Sequence, residues 1–164
     1  MYYHGLAGQT MQWDEPLEAP LQSFWESMVR AYREELDYHL MERQVYSAAN
    51  PLLAPTEVMI TPTVWQEPVF QALMDLVYRR GIAVGLVGTN GSEDLADPFE
   101  DTWVPVVVAA QHKAVTVPGL HKAIARGDVV ARPQKPGGSR LEVSQRSLDH
   151  WTPDPVRQAA RKQP

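Results

Sequence analysis

Residues 104–151 place helix and turn signals in an order that leaves few folds open to the chain. One face of a short helix is predicted from four apolar residues: Val106, Val107, Ala109 and Ala110. Ala114 follows as a small turn residue, and Val115 is expected to fill the space beneath that turn. The pattern predicts a short helix that leads through a tight turn directly into another element.

A second helix is predicted to begin after Thr116, whose hydroxyl can accept a hydrogen bond from a free backbone N–H of the first turn. Pro118 falls in that first turn, where its missing N–H costs little. Gly127 is expected to end the helix in a left-handed conformation. Three apolar residues have the spacing of one packed face: Leu120, Ala123 and Ile124.

Two short strands and a last helix complete this part of the chain. Strands are predicted near residues 129–132 and 140–143, joined by the turn-rich sequence PQKPGGS. Ser144 can cap the final helix, whose apolar residues are Leu148 and Trp151. The order helix, turn, helix, hairpin, helix is that of a winged helix-turn-helix, a fold that binds duplex DNA.

The same run resembles the excisionase branch of MerR-type helix-turn-helix domains, over roughly a third of the chain. The matching positions are an alanine pair, a small turn residue with an aliphatic plug, a polar cap, an Arg-Gly-acidic helix end and a closing Leu-Asp-x-Trp. They are Ala109-Ala110, Ala114-Val115, Thr116, Arg126-Gly127-Asp128 and Leu148-Asp149-His150-Trp151. The family usually has Ser and Arg early in the second helix, where this chain has Val117, Pro118 and Gly119.

The second helix is expected to enter the major groove, and the hairpin to meet phosphates or the minor groove. His121 and Lys122 could reach base edges, and Val117 could touch a thymine methyl group. The predicted DNA-contacting residues are Thr116, Val117, Pro118, His121, Lys122 and Arg126 in the helix, and Arg132, Lys135 and Arg140 in the hairpin. The alternative is that these are solvated charges on a small domain.

Charge is distributed unevenly along the chain. Residues 111–164 hold ten Lys/Arg and four Asp/Glu, a formal charge of +6, whereas residues 1–110 hold five and sixteen, a charge of −11. The total of −5 alone would argue against a nucleic-acid binder, but the asymmetry suggests a basic end for a polyanion. We therefore expect an acidic self-association or partner-binding domain over 1–100 and a DNA-binding domain over 101–164.

The N-terminal hundred residues are predicted to be mainly helical. Residues 1–20 contain two prolines and little periodicity, so an extended or partly disordered lead is expected. Apolar residues then recur every three or four positions over 21–45, which predicts one long helix that faces the core, a second copy or a partner. Residues 47–63 hold three prolines and are predicted to be a connector.

A further helix is predicted from Val64 or Pro68 to Arg80, with Thr63 at its start and Trp65 on its apolar face. Arg79 and Arg80 suit the negative end of this helix, and Gly81 suits its cap position. The β-branched residues 82–87 are predicted to form a short strand, and the acidic residues 92–101 a linker. At the end of the chain, Asp154-Pro155 is a helix-start signal.

Together these elements predict a mainly α protein with a small β component, an α+β fold. It consists of a C-terminal winged helix-turn-helix and an N-terminal helical unit with one short strand. The arrangement also resembles, loosely, antitoxins that pair with PIN-domain ribonuclease toxins, in which a segment similar to residues 61–87 precedes the DNA-binding domain. This resemblance implies a toxin-like protein partner for residues 1–100.

No motif predicts an enzyme. No Ser-His-Asp order or paired carboxylates stand out, and the glycines of residues 85–91 fit neither a dinucleotide-binding nor a P-loop motif. Glu35, His39 and Glu42 have helical spacing that could hold a metal ion, although such a set is more typical of a solvated helix face. We expect no catalytic residues, cofactor or metal.

The chain lacks cysteine, a membrane-length apolar run and a secretory signal, which together favour a cytoplasmic protein without disulfides. A bacterial transcription regulator is the leading hypothesis, either an antitoxin-like autoregulator or a phage or plasmid control protein. One winged unit contacts few base pairs, so a homodimer or cooperative array is expected. The alternatives are an excisionase-type DNA-bending factor and a protein whose acidic half inhibits a basic enzyme, with DNA binding secondary.

Overall fold

The computed structural model describes residues 1–153, and the predicted helix start at Asp154-Pro155 lies outside them. The chain forms a mixed α+β fold, as predicted. It divides into two compact units: an N-terminal unit of Met1–Ala7 with Met11–Pro98, and a C-terminal unit of Gly8–Thr10 with the described residues from Phe99 onward. Along residues 1–153 no helix combines the length and apolar character needed to cross a bilayer.

The elements follow one another in this order up to residue 98: β1 (Tyr2–His4), β2 (Thr10–Gln12), α1 (Ala19–Arg33), α2 (Tyr38–Val45), a short 3-10 helix (Ala54–Thr56), α3 (Pro62–Gln66) and α4 (Pro68–Ala83). After residue 98 they are β3 (Trp103–Pro105), α5 (Val106–His112), α6 (Val117–Ala125), β4 (Ala131–Pro133), β5 (Leu141–Ser144) and α7 (Gln145–His150). Strands β1 and β2 pair as a two-stranded sheet.

Helix α4 is the central element of the N-terminal unit. Nearly every residue from Val69 to Val77 is buried, including Phe70, Leu73 and Leu76 with no exposed surface. Helices α1, α2 and α3 contact it and contribute further core residues: Trp25, Met28, Met41, Val45 and Val64. A helix that is apolar around its circumference belongs in the middle of a core, which explains why the others surround it.

The prediction of a single helix over residues 21–45 is wrong, because the helical conformation is interrupted between α1 and α2. Glu35 adopts a left-handed conformation with φ of 56°, and the backbone N–H groups of Glu35 and Leu36 close the end of α1. Asp37 then caps α2 by accepting a hydrogen bond from the N–H of Leu40 at 3.2 Å. Arg80 of α4 donates to the carbonyl oxygens of Glu35 and Leu36 at 2.7 and 2.9 Å, so α4 stabilises the break.

The strand predicted over residues 82–87 is also wrong. Helix α4 continues to Ala83, and the left-handed Gly85 ends it, with the N–H of Leu86 bonded to the carbonyl oxygen of Gly81 at 2.9 Å. Gly81 is therefore inside the helix and is not its cap. Its missing side chain matters for packing, because a Cβ there would lie 2.9 Å from the ring of Tyr38.

Three smaller predictions for this region need correction. A separate short helix, α3, precedes α4. The N-terminal cap of α3 is Thr61 rather than the predicted Thr63, and Thr61 accepts a hydrogen bond from the N–H of Val64 at 3.3 Å. Trp65 lies on α3 and is half exposed, so it does not belong to the apolar face of α4. Arg79 was predicted to lie in solvent at the negative end of the helix, but its side chain is buried.

The first residues, predicted to be extended or partly disordered, include the extended strands β1 and β2 and form part of the core. Tyr3 and His4 on β1 are buried. The Tyr3 hydroxyl donates to Asp75 Oδ2 at 2.7 Å, and the N–H of Leu6 donates to Asp75 Oδ1 at 2.7 Å. Arg79, one turn along α4, pairs with Asp75 Oδ2 at 2.6 Å. This buried polar group explains how a segment with little periodicity is held against α4.

Replacing Tyr3 by phenylalanine is expected to make the N-terminal unit less sensitive to alkaline pH. Burial, and after it the Asp75 carboxylate, raise the pKa of the Tyr3 hydroxyl well above 10. The unfolded chain releases this proton near pH 10 while the folded chain retains it, so stability falls as the pH rises above about 10. Tyr3→Phe should lower the free energy of unfolding by about 1–2 kcal/mol at pH 8, through loss of a hydrogen bond to a charged group.

The measurement is urea denaturation of both proteins between pH 8 and pH 10.5. The wild-type free energy of unfolding should decline more steeply with pH than that of Tyr3→Phe, so the two curves converge. Parallel curves over this range would contradict the role assigned to the Tyr3 hydroxyl.

Candidate nucleic-acid interface

Helices α5 and α6 are joined by a tight turn centred on Ala114. Ala114 is left-handed, with φ of 51°, and its N–H donates to the carbonyl oxygen of Gln111 at 3.1 Å. The N–H of Val115 bonds to the carbonyl oxygen of Ala110 at 3.0 Å, and the Val115 side chain packs against the core. The predicted turn and its apolar plug are confirmed. A small residue is suited to this position because a left-handed conformation crowds Cβ.

Helix α6 begins and ends as its sequence predicts. Thr116 Oγ1 accepts from the N–H of Gly119 at 3.2 Å, and Pro118 lies in the first turn. Gly127 is left-handed, with φ of 79°, and its N–H bonds to the carbonyl oxygen of Ile124 at 3.0 Å. Both ends of α6 are thus set by local hydrogen bonds, which gives the helix a defined length of nine residues.

One face of α6 is part of the apolar core of the C-terminal unit. Leu120 and Ala123 have no exposed surface, and Ile124 is half-buried and packs against them. The other buried residues of this core come from α5, the segment before β4, β5 and α7: Val106, Ala109, Ala110, Val129, Val143 and Leu148. Val107, predicted to share the buried face of α5, is exposed instead. Leu120 anchors α6, so the opposite face of the helix points outward.

The outward face of α6 carries most of the residues predicted to contact DNA. Five of the six are exposed: Thr116, Pro118, His121, Lys122 and Arg126. Val117 is half-buried and packs against the core, so only part of its side chain is presented. The helix therefore presents two basic side chains and one imidazole along one edge.

Arg126 differs from Lys122 in having an acidic neighbour. Its guanidinium donates through Nε and Nη2 to Asp128 Oδ2 at 2.8 and 2.5 Å. Both side chains are about half exposed, so this pair is weak and can open to another anion. It holds the Arg126 guanidinium at the C-terminal end of α6 while leaving it in solvent.

A three-stranded antiparallel sheet, in the order β3-β5-β4, supports the hairpin. Ala131 lies opposite Val143 and Pro133 opposite Leu141, and both strands begin and end within two residues of the predicted limits. Arg132 on β4 stacks over the ring of Trp103 at 4.1 Å and lies 3.4 Å from Glu142. Its planar group is therefore fixed against the sheet, which restricts how far it can reach toward a phosphate.

The hairpin tip carries the other two predicted cations, Lys135 and Arg140, and both are exposed. The tip is ordered by backbone hydrogen bonds, from the N–H of Gln134 to the carbonyl oxygen of Arg140 at 2.8 Å and from the N–H of Gly138 to that of Lys135 at 2.9 Å. Gly137 is left-handed, with φ of 71°, which the turn requires. The tip therefore holds its two cations on a shaped loop.

Helix α7 closes the unit on the side of α5. Ser144 caps it, as predicted, by accepting from the N–H of Ser147 at 2.9 Å, and Leu148 is fully buried while Trp151 packs on the core. Gln145 of α7 contacts His112 Nδ1 at 3.1 Å and donates to Asp149 at 2.8 Å. The contact with His112 joins α7 to α5, whereas the hydrogen bond to Asp149 lies within α7.

Sequence reasoning missed strand β3 and its neighbours. Residues 92–101 were predicted to be a linker and domain boundary, and no strand was predicted after them. In the structure Trp103–Pro105 pairs with β5, with Trp103 opposite Ser144. Arg146 Nη1 donates to the carbonyl oxygen of Glu100 at 2.9 Å, and its N–H reaches Asp101 at 3.3 Å. The β-forming residues Thr102, Trp103 and Val104 after the acidic run were the signal for this strand, but so short a stretch gives too little pattern to identify one.

The acidic helix positions that could hold a metal are separated by the helix break. Glu35 lies in the turn before α2 and faces Arg80 at 3.5 Å, whereas His39 and Glu42 lie on α2, 3.7 Å apart. Glu42 also accepts a hydrogen bond from the Tyr38 hydroxyl at 2.9 Å, which raises the pKa of Tyr38. Within residues 1–153, no three His, Asp or Glu side chains come together as metal ligands.

Comparison with models of known protein families, with curated proteins and with solved structures finds no match.

Proposed function

We propose that this protein is a sequence-specific DNA-binding protein that acts as a transcription regulator, and that α6 inserts into the major groove. The observation that carries the proposal is the two-sided character of α6. Leu120 and Ala123 are completely buried while His121 and Lys122, next to them in sequence, are exposed. A short helix anchored by one face beside a tight turn, with polar and basic groups on the other, is what groove recognition by a helix-turn-helix requires.

The hairpin supports the same function. In a winged helix-turn-helix a β-hairpin beside the recognition helix meets the DNA backbone or the minor groove. Lys135 and Arg140 are exposed at the tip, and neither side chain has a hydrogen-bond or ion-pair partner within residues 1–153. A cation without an internal partner loses only bound water and counterions when it binds a phosphate. No carboxylate of the protein competes for it, so its contribution to DNA binding is not reduced.

The basic edge is small, and this has a consequence for how the protein would act. Lys122, Lys135 and Arg140 are the exposed cations of α6 and the hairpin that have no acidic partner within the described residues, whereas Arg126 and Arg132 face Asp128 and Glu142. A single unit with so few phosphate contacts would bind weakly at physiological salt. We therefore propose that it binds as a homodimer or a cooperative array on repeated half-sites.

Selection from random double-stranded DNA tests the proposal. The full chain, immobilised and challenged over several rounds, should enrich one short motif, and footprinting on the enriched DNA should show protection in units about ten base pairs apart. Protection of a promoter near the protein's own gene would distinguish a regulator from a DNA-bending factor. No enrichment over an unrelated acidic protein would contradict sequence-specific binding.

A further inference from the structure

A second surface lies on the N-terminal unit and is apolar rather than basic. Four large hydrophobic side chains within eight consecutive residues are exposed: Val58 by 38%, Met59 by 62%, Ile60 by 40% and Trp65 by 52%. We call these four residues the apolar strip. Exposed hydrophobic residues are ordinary when scattered singly, but a run of this kind marks an interaction site.

The backbone beneath the apolar strip is strained. Glu57 and Val58 are both left-handed, with φ of 51° and 65°. That conformation is costly for a β-branched residue such as Val58. A chain free to relax would turn such a residue toward extended backbone, so the surrounding contacts must hold it in place.

Those contacts anchor the loop from inside. Leu53, in the turn before the strip, is fully buried, and its carbonyl oxygen accepts from the N–H of Val58 at 3.1 Å. Thr56 Oγ1 donates to the carbonyl oxygen of Met59 at 2.6 Å. Asn50, also fully buried, donates to the carbonyl oxygen of Val45 at 2.9 Å. The strip is therefore held in one shape, which reduces the conformational entropy lost when a partner binds.

The charge around the apolar strip defines what can cover it. Residues 44–78, the segment that holds the strip, contain no Lys, Arg or His, and the exposed charged residues of this segment are Glu57 and Glu67. The next arginines along the chain are committed elsewhere, Arg79 to buried Asp75 and Arg80 to the α1–α2 break. Residues 1–98 together hold fourteen acidic and five basic residues.

We propose that the apolar strip binds a different protein, through a basic segment that places apolar side chains between lysine or arginine residues. A second copy would bring two acidic units together, and an anionic membrane surface or nucleic acid would be repelled by the same charge. A basic partner satisfies both features, since its apolar residues cover the strip and its cations face Glu57 and Glu67. The proposal concerns a surface distinct from α6 and does not depend on DNA binding.

Site-specific photo-cross-linking in the native host identifies the partner. The full chain carries a photoreactive phenylalanine derivative in place of Met59, and in a control in place of Leu95, which is 60% exposed in the same unit. Cross-linking from position 59 but not from position 95, to a protein with a basic surface, is the expected result. Cross-linking only to a second copy, equal cross-linking from both positions, or none at all would overturn the proposal.

Reconstitution with the purified cross-linked protein then tests the chemistry. Met59→Gln combined with Trp65→Gln should weaken its binding at least tenfold, whereas Leu95→Gln should leave it unchanged. Glu57→Gln combined with Glu67→Gln should weaken it about threefold at low salt, and added salt should weaken wild-type binding. Binding that is indifferent to these variants would overturn the proposal. All variants should bind DNA as the wild type does, so this surface and α6 are tested separately.

Discussion

Replacing Arg79 by alanine is expected to lower the free energy of unfolding of the N-terminal unit by about 3–5 kcal/mol, the cost of removing one partner from a buried ion pair. Asp75 would stay buried with only the Tyr3 hydroxyl and the Leu6 N–H as donors. Arg79 also donates to the carbonyl oxygens of His4 and Ala96 at 2.8 and 2.9 Å, and both would lose this donor. Burial disfavours the guanidinium charge, but the interactions of Arg79 with Asp75, Tyr3 and Tyr32 together outweigh it, so the pKa of Arg79 is raised.

Hydrogen exchange resolved to individual peptides measures the loss of stability separately for the N-terminal unit. Peptides from β1 and α4 should lose protection in Arg79→Ala, while peptides from α5–α7 serve as an internal reference. Arg43→Ala is the matched control, because Arg43 is an exposed arginine on α2 and its loss should change stability by less than about 0.5 kcal/mol. A loss below about 1 kcal/mol in Arg79→Ala would show that the buried pair does not organise the unit.

Replacing Lys122 and Arg126 together by alanine is expected to reduce affinity for the selected DNA about 100-fold, from roughly 1–2 kcal/mol for each lost contact. The dependence of the logarithm of affinity on the logarithm of salt concentration should become shallower by about two. Both side chains are exposed on α6, so the fold should survive their loss. Gel-shift titrations between about 50 and 200 mM salt provide both quantities.

The control for this variant removes the same charge elsewhere. Arg30→Ala combined with Arg33→Ala takes two exposed arginines from α1 and alters the net charge equally. It should leave affinity and salt dependence near wild type if α6 forms the interface. Unchanged affinity in the Lys122/Arg126 variant, or an equal loss in the control, would refute docking through α6.

The elements of the C-terminal unit could be predicted from sequence because each has a strong local signal. Thr116 and Ser144 cap their helices through their own hydroxyls, and Gly127 takes the left-handed conformation that ends α6. Leu120 and Leu148 lie in the core at helical spacing. Signals of this kind act within a few residues, so they survive without knowledge of the rest of the fold.

The candidate interface could be predicted in part. His121 and Lys122 lie on the exposed side of α6 because burial of Leu120 and Ala123 decides their direction. The pairing of Arg132 with Glu142 and its stacking on Trp103 were missed, since the partners are ten and twenty-nine residues away in sequence. Cross-strand and strand-to-strand neighbours follow from register, which local patterns do not specify.

In the N-terminal unit the sequence predicted helices but placed their limits wrongly. The apolar repeat over residues 21–45 continues through Glu35 without interruption, yet Arg80 binds the backbone carbonyls there and holds the break. Ile82 is β-branched, which favours a strand, yet Ile82 and Ala83 extend α4 because the helix is already anchored in the core. Intrinsic preference is weak compared with such contacts.

By itself, the amino-acid sequence determined the α+β class, the succession of elements after residue 105, and the separation of an acidic N-terminal part from a basic C-terminal part. These follow from periodicity, capping and charge, which are properties of neighbours along the chain. Only the tertiary structure decided that Tyr3 reaches Asp75 and that Arg79 is buried. Only it decided that Val58–Ile60 stand exposed on a strained loop. Such outcomes depend on which distant groups meet in a core, where an unpaired polar atom is costly and a paired one is not.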